Sequence, residues 1–171
     1  EVKGKKVTKE TVIFPRFHQL VAVKELLTHA KAEGPGKNYL IQHSAGSGKT
    51  NSIAWTAHRL ARLQVDNEKV FDSVIVVTDR NVLDAQLQDA IKQIDATSQP
   101  GQAYSGIVAS IDIDEARRQG ATSKSGLLAK ALVNGKLIIV VTIQTFPFAM
   151  AEIRENAGLR GKKFAVIADE A

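Results

Sequence analysis

The chain has 171 residues, 44% of them hydrophobic and only 5% aromatic, with 23 Lys and Arg against 18 Asp and Glu for a formal charge of +5. That length holds one domain of ordinary size with a real core, and an interior of Val, Ile, Leu and Ala suits buried parallel strands covered by helices. The lack of cysteine excludes disulfides and thiolate metal sites and is compatible with a cytoplasmic setting; no apolar run approaches the roughly 20 residues of a membrane span, and the N-terminus lacks the apolar stretch of a secretory leader.

Residues 1–12 are polar and without a clear period, and they read as a linker or incoming segment. The chain begins without Met, as expected of a piece of something longer. From His18 to Ala32 the spacing of Leu20, Val23, Leu27 and Ala30 predicts a helix, stopped by Gly34, Pro35 and Gly36. Tyr39-Leu40-Ile41 reads as a short buried strand, His43 to Gly48 as a turn of small residues, and Lys49 to Leu63 as a helix with Ile53, Ala57, Leu60 and Ala61 inward.

The same grammar then repeats. Val74 to Val77 predicts a strand, and Asn81 to Ile94 an amphipathic helix with Leu83, Leu87, Ile91 and Ile94 inward. Ile107 to Ala109 makes another short strand, and Ser125 is placed to cap a helix that runs to Val133 and ends at Gly135. Leu137 to Val141 is a strand, 146–157 a loop and helix, and Phe164 to Ala168 a final strand ending in Asp169-Glu170-Ala171. Strands alternating with helices predict an α/β fold, a mostly parallel sheet with helices on both faces and right-handed crossovers.

His43-Ser44-Ala45-Gly46-Ser47-Gly48-Lys49-Thr50 lies between a predicted strand and a predicted helix, which is the context a P-loop needs. Gly46 and Gly48 let the backbone turn its N–H groups of residues 44–50 toward an anion, and the following helix offers its positive end to the same place. Lys49 then reaches the β- and γ-phosphates of ATP, and the Thr50 hydroxyl ligates Mg²⁺. The usual motif opens on Gly, and here that position is His43. The four histidines (His18, His29, His43 and His58) show no metal spacing and read as surface or packing residues.

ATP hydrolysis at such a loop needs carboxylates opposite it. The last strand delivers Asp169 to hold Mg²⁺, largely through water, and Glu170 to position or deprotonate the attacking water.

With those elements in place, the chain resembles the superfamily 2 helicases and translocases. Its D-E-A ending looks like the start of their D-E-A-H or D-E-A-D box, and F-P-R-F-H-Q at 14–19 looks like their adenine-recognition element, which would bring Arg16 and Gln19 to the base. More closely, these segments, with V-V-T-D-R-N-V-L-D-A-Q-L at 76–87 and V-V-T-I-Q-T-F at 140–146, resemble the motor (R) subunit of type I restriction enzymes from about Val12 onward.

The resemblance implies an N-terminal RecA-like lobe over 13–171, incomplete at its C-terminal end, that couples ATP hydrolysis to translocation of double-stranded DNA before cleavage. It implies a nuclease domain and a second RecA-like lobe in the same full-length chain, and methyltransferase and specificity subunits in the same complex. The arginine finger would come from the second lobe, so this lobe by itself would bind ATP better than it hydrolyses it. Thr78, Asp79 and Arg80, and Thr142 with Gln144, match elements that meet the DNA backbone in that family; Arg80 as a turn cap and Thr142 as a strand end are the structural alternatives. Another superfamily 2 motor (a remodeller or an RNA helicase) and a nucleotide-binding switch without a motor cycle are the competing functions. A small-molecule P-loop kinase would need an arginine-bearing lid soon after the loop, which the sequence does not show.

Overall fold

The computed structural model describes residues 14–79, 87–91, 93–94, 108–110 and 130–169. The incoming segment, Leu83, Ser125, Arg80 and Glu170 lie outside the described residues.

Helix α1, Phe17–Glu33, starts from an extended Arg16, whose N–H is accepted by the Gln19 side-chain oxygen at 2.8 Å. This is the reciprocal half of a capping box, and it satisfies a donor that the helix itself cannot. Gly34, at φ 70°, ends the helix, and Pro35 follows. Its inward face is Gln19, Val23 and Ala30; Leu20 points more outward than its spacing predicts, because Gln19 takes the buried place beside it.

Helix α2, Lys49–Ala61, buries Ile53, Ala57, Leu60 and Ala61 as their spacing predicts, along with Ala54. A two-stranded hairpin, β1 (Gln64–Val65) and β2 (Glu68–Lys69), then projects from the chain. Asp66 and Asn67 both have positive φ, 51° and 66°, as a two-residue hairpin turn of the primed type demands.

The main sheet holds β3 (Ser73–Thr78), β4 (Val108–Ser110), β5 (Ile138–Thr142) and β6 (Phe164–Ala168) in the order β4-β5-β3-β6, every pair parallel. All six residues of β3 and all five of β5 are buried. Successive side chains go to opposite faces. Val74, Val76, Ile138 and Val140 pack with α1, α2 and the helical stretch containing Leu87 and Ile91. Ile75, Val77, Ile139 and Val141 pack with Ala131, Leu132 and Leu159, and with Phe146 and Ile153 of helix α3, Phe146–Glu155. A sheet sandwiched between two apolar layers reads in sequence as an unbroken β-branched run, which is what 74–77 and 138–141 are.

Residues 130–133 are helical and end at Gly135 as expected, in a Schellman motif: Lys136 N–H donates to Ala131 O (3.1 Å) and Gly135 N–H to Leu132 O (3.2 Å), with Gly135 at φ 70°. The strand expected at Tyr39-Leu40-Ile41 does not form. These residues carry no sheet pairing, and Leu40 is 93% exposed. Three apolar residues in a row carry no period, so their burial depends wholly on a neighbouring strand accepting them.

Candidate functional site: the phosphate loop and the acidic end of the sheet

The loop enters α2 through Gly48, which is left-handed at φ 85°, ψ 36° and precedes Lys49, the first helical residue. Gly46 is also left-handed, at φ 72°. A Cβ at Gly48 would also meet Gln19 Nε2, so that side chain would have to shift. Between the two glycines Ser47 is buried, its N–H donating to Ser44 O at 3.2 Å. Lys49 and Thr50 thus open a helix whose first-turn amides and positive dipole end lie at the loop.

Across from the loop, β6 pairs with β3 up to Ala168 against Val77, and Asp169 N–H continues that ladder to Val77 O at 2.9 Å. This fixes Asp169 at the C-terminal edge of the sheet. Lys49 Nζ lies 2.9 Å from Asp169 Oδ1, and the carboxylate is 10% exposed. The contact is one of charge and not of direction, since the buried Oδ1 meets no donor in hydrogen-bond alignment among the described residues. A buried carboxylate oxygen left without a hydrogen bond, beside a cation, fits a group that also serves a hydrated divalent metal. The two halves of the expected site therefore meet, brought together by a loop at a helix start and a strand end far apart in sequence.

Gln19 and Arg16, the residues expected near the adenine, stand at the start of α1, with Gln19 against the loop. Gln19 is 3% exposed, and its Nε2 donates to Ser47 O (3.1 Å) and Gly48 O (2.9 Å) while Oε1 accepts from Arg16 N–H. Both amide donors are spent on the phosphate loop, so Gln19 ties α1 to that loop and has no donor left for a base. The Arg16 side chain is exposed.

The two threonines matched to DNA contacts are buried. Thr78 and Thr142 are register partners at the ends of β3 and β5, 1% and 4% exposed, beneath a turn whose Ile143 N–H donates to Thr78 O at 2.8 Å. Thr142 Oγ1 bonds Thr145 Oγ1 at 3.0 Å, and Thr78 Oγ1 has no partner among the described residues. Gln144 is exposed on the same turn.

The histidines are not all bystanders. His29 is on the surface beside Glu33, and His58 is buried with Nε2 2.7 Å from Ile91 O. His18 and His43, however, both reach Ser47. Periodicity could not disclose that, because the contact joins a helix start to a loop; the loss of the usual Gly at position 43 was the one available signal. Among the described residues no group of three His, Cys, Asp or Glu side chains could hold a metal, and no helix is long and apolar enough to cross a membrane.

The family model of the SWI2/SNF2 ATPase matches residues 18–171, which takes in Gln19, the loop and Asp169. The chain belongs to the SWI2/SNF2 ATPase family. No curated protein and no solved structure matches it. A SWI2/SNF2 ATPase lobe is an ATP-driven motor of the helicase and translocase type, and the parallel sheet with its P-loop and acidic edge is the RecA-like lobe of such an enzyme. A SWI2/SNF2 ATPase domain implies the use of a nucleotide.

Proposed function

We propose that this lobe is the ATP-binding half of a double-stranded DNA translocase, the first RecA-like lobe of a type I restriction R subunit, with a second lobe and a nuclease domain in the full-length chain and methyltransferase and specificity subunits as partners. The observation that carries the ATPase part is the 2.9 Å approach of Lys49 to Asp169. The restriction part is supported by the run of segments at 14–19, 43–50, 76–87 and 140–146 in one order.

In this reading the loop amides and Lys49 bind the β- and γ-phosphates, and Lys49 exchanges its contact with Asp169 for them. Thr50 and Asp169 would hold Mg²⁺, which would supply charge neutralisation on the phosphate oxygens. Glu170, next after Asp169, takes a proton from the attacking water. DNA meets the lobe at the C-terminal end of β5, where Gln144 is exposed, and at Arg80; such contacts would position the duplex without reading its sequence.

Calorimetry of Lys49→Ala with ATP tests the site: binding should be lost, and an unchanged affinity would refute it. The family match favours a second reading equally well, a chromatin-type remodelling motor. The full-length protein separates the two, since a restriction motor cleaves DNA after ATP-dependent translocation and a remodeller leaves the strands intact.

A further inference from the structure

Ser47 is held at every polar atom. Its N–H donates to Ser44 O, its carbonyl lies 3.2 Å from His18 Nε2 as well as 3.1 Å from Gln19 Nε2, and its hydroxyl lies 3.3 Å from His43 Nδ1. The His18 and His43 rings meet edge to face, centroids 6.2 Å apart and planes at 65°. One histidine comes from the start of α1 and the other from the opening position of the loop itself, so the pair closes a ring around this one serine.

Ser47 also sits between the two left-handed glycines, Gly46 and Gly48. Glycine is the residue with the most backbone freedom to lose, and a loop hinged on both sides of one residue has its amide directions set by whatever holds that residue. A carbonyl only accepts, so His18 must carry its proton on Nε2; His43 Nδ1 can give to or take from the hydroxyl. We infer that His18 and His43 are positioning residues for nucleotide binding, which fix Ser47 and through it the direction of the phosphate-loop amides. This rests on the loop being the ATP site.

The pair acts through two defined nitrogens, which makes it separable from mere packing. An Asn amide can stand in for an imidazole Nδ1 and a Gln amide for Nε2. The test is calorimetric titration of the full-length protein with the non-hydrolysable analogue AMP-PNP and Mg²⁺, alongside thermal unfolding. His43→Ala and His18→Ala should each weaken the affinity about five- to tenfold, as loss of one ordered hydrogen bond does. His43→Asn and His18→Gln should restore most of it. Because His43 acts through the Ser47 hydroxyl, the double variant His43→Ala with Ser47→Ala should bind no worse than the weaker of the two single variants.

Wild-type affinity in His43→Ala, failure of His43→Asn to recover it, or additive losses in the double variant would each overturn the inference. Should His43→Ala not fold, His43→Asn and Ser47→Ala decide the matter. The ATP reading fails separately: a wild-type protein that does not bind AMP-PNP sinks it. If the wild type binds, Lys49→Ala does not and the histidine variants are all normal, only the clamp is lost.

Discussion

Replacing Gln19 separates two roles that its position allows. The side chain is buried and makes three hydrogen bonds, one to Arg16 N–H and two to the carbonyls of Ser47 and Gly48. Each is worth about 0.5–1.5 kcal/mol net, and truncation leaves the Arg16 N–H without its cap, so Gln19→Ala should cost about 2–4 kcal/mol. For a domain of this size that is a fall in Tm of roughly 4–16 °C. Gln19→Glu should be worse, since a carboxylate cannot donate and would face two carbonyl oxygens. A side chain that only ties α1 to the loop makes no distinction between bases, so affinity for ATP and for GTP should drop by the same factor. Calorimetry with both nucleotides, beside thermal unfolding, decides it. A lowered ATP-to-GTP preference with an unchanged Tm would refute the tether and restore Gln19 to base recognition.

Other substitutions probe the remaining parts. Asp169→Asn removes a charge beside Lys49 but no hydrogen bond at Oδ1, so Tm should move little while the Mg²⁺-dependence of ATP affinity collapses; an unaltered Mg²⁺ titration would refute its metal role. Thr78→Val replaces a buried hydroxyl, without a partner among the described residues, by a methyl of the same shape and should leave stability equal or raise it by about 1 kcal/mol, with DNA-stimulated ATPase unchanged; a loss of stimulation would mean that the hydroxyl turns out to DNA. Leu132→Ala, at a fully buried site between the sheet and its second helical layer, should cost about 2–5 kcal/mol in denaturant unfolding. Gly135→Ala forces a Cβ into a left-handed residue and should cost about 1–2 kcal/mol by the same measurement, although nothing crowds that position.

What could be read from residues alone follows from how locally each feature is determined. The β-branched runs at 74–77 and 138–141 announce strands because they are buried on both faces, and Gly135 announces a helix end because few other residues tolerate its conformation. The turn at Gly46 and Gly48 is legible for the same reason: both glycines are left-handed, and Lys49 opens the helix that follows. Tyr39 to Ile41 has no such determinant, and its strand failed to form. The hairpin at Gln64–Lys69 went unforeseen although Asp66-Asn67 is a turn signal, because two-residue strands give no alternation to read. The bonds of Gln19 to the Ser47 and Gly48 carbonyls could not be read from its spacing, which identifies the helix face a residue occupies and not the loop that folds over it.

The Lys49 contact with Asp169 also constrains how the lobe can work. In the function proposed above, the lysine that holds the phosphates lies 2.9 Å from the carboxylate that serves the metal, so the two charges screen each other. An incoming triphosphate offers Lys49 several acceptors in place of one poorly aligned oxygen, and the metal it brings offers Asp169 a divalent charge in place of a monovalent one. Neither exchange is favourable without the other: phosphate without metal leaves a buried carboxylate with no cation, and metal without phosphate must compete with the lysine. ATP and Mg²⁺ should therefore bind with positive coupling, each raising the affinity for the other by the same factor, as linkage requires. The coupling should shrink in Asp169→Asn to the part that the metal's own bond with the phosphates supplies, and a coupling as large as that of the wild type would show that Asp169 does not hold the metal.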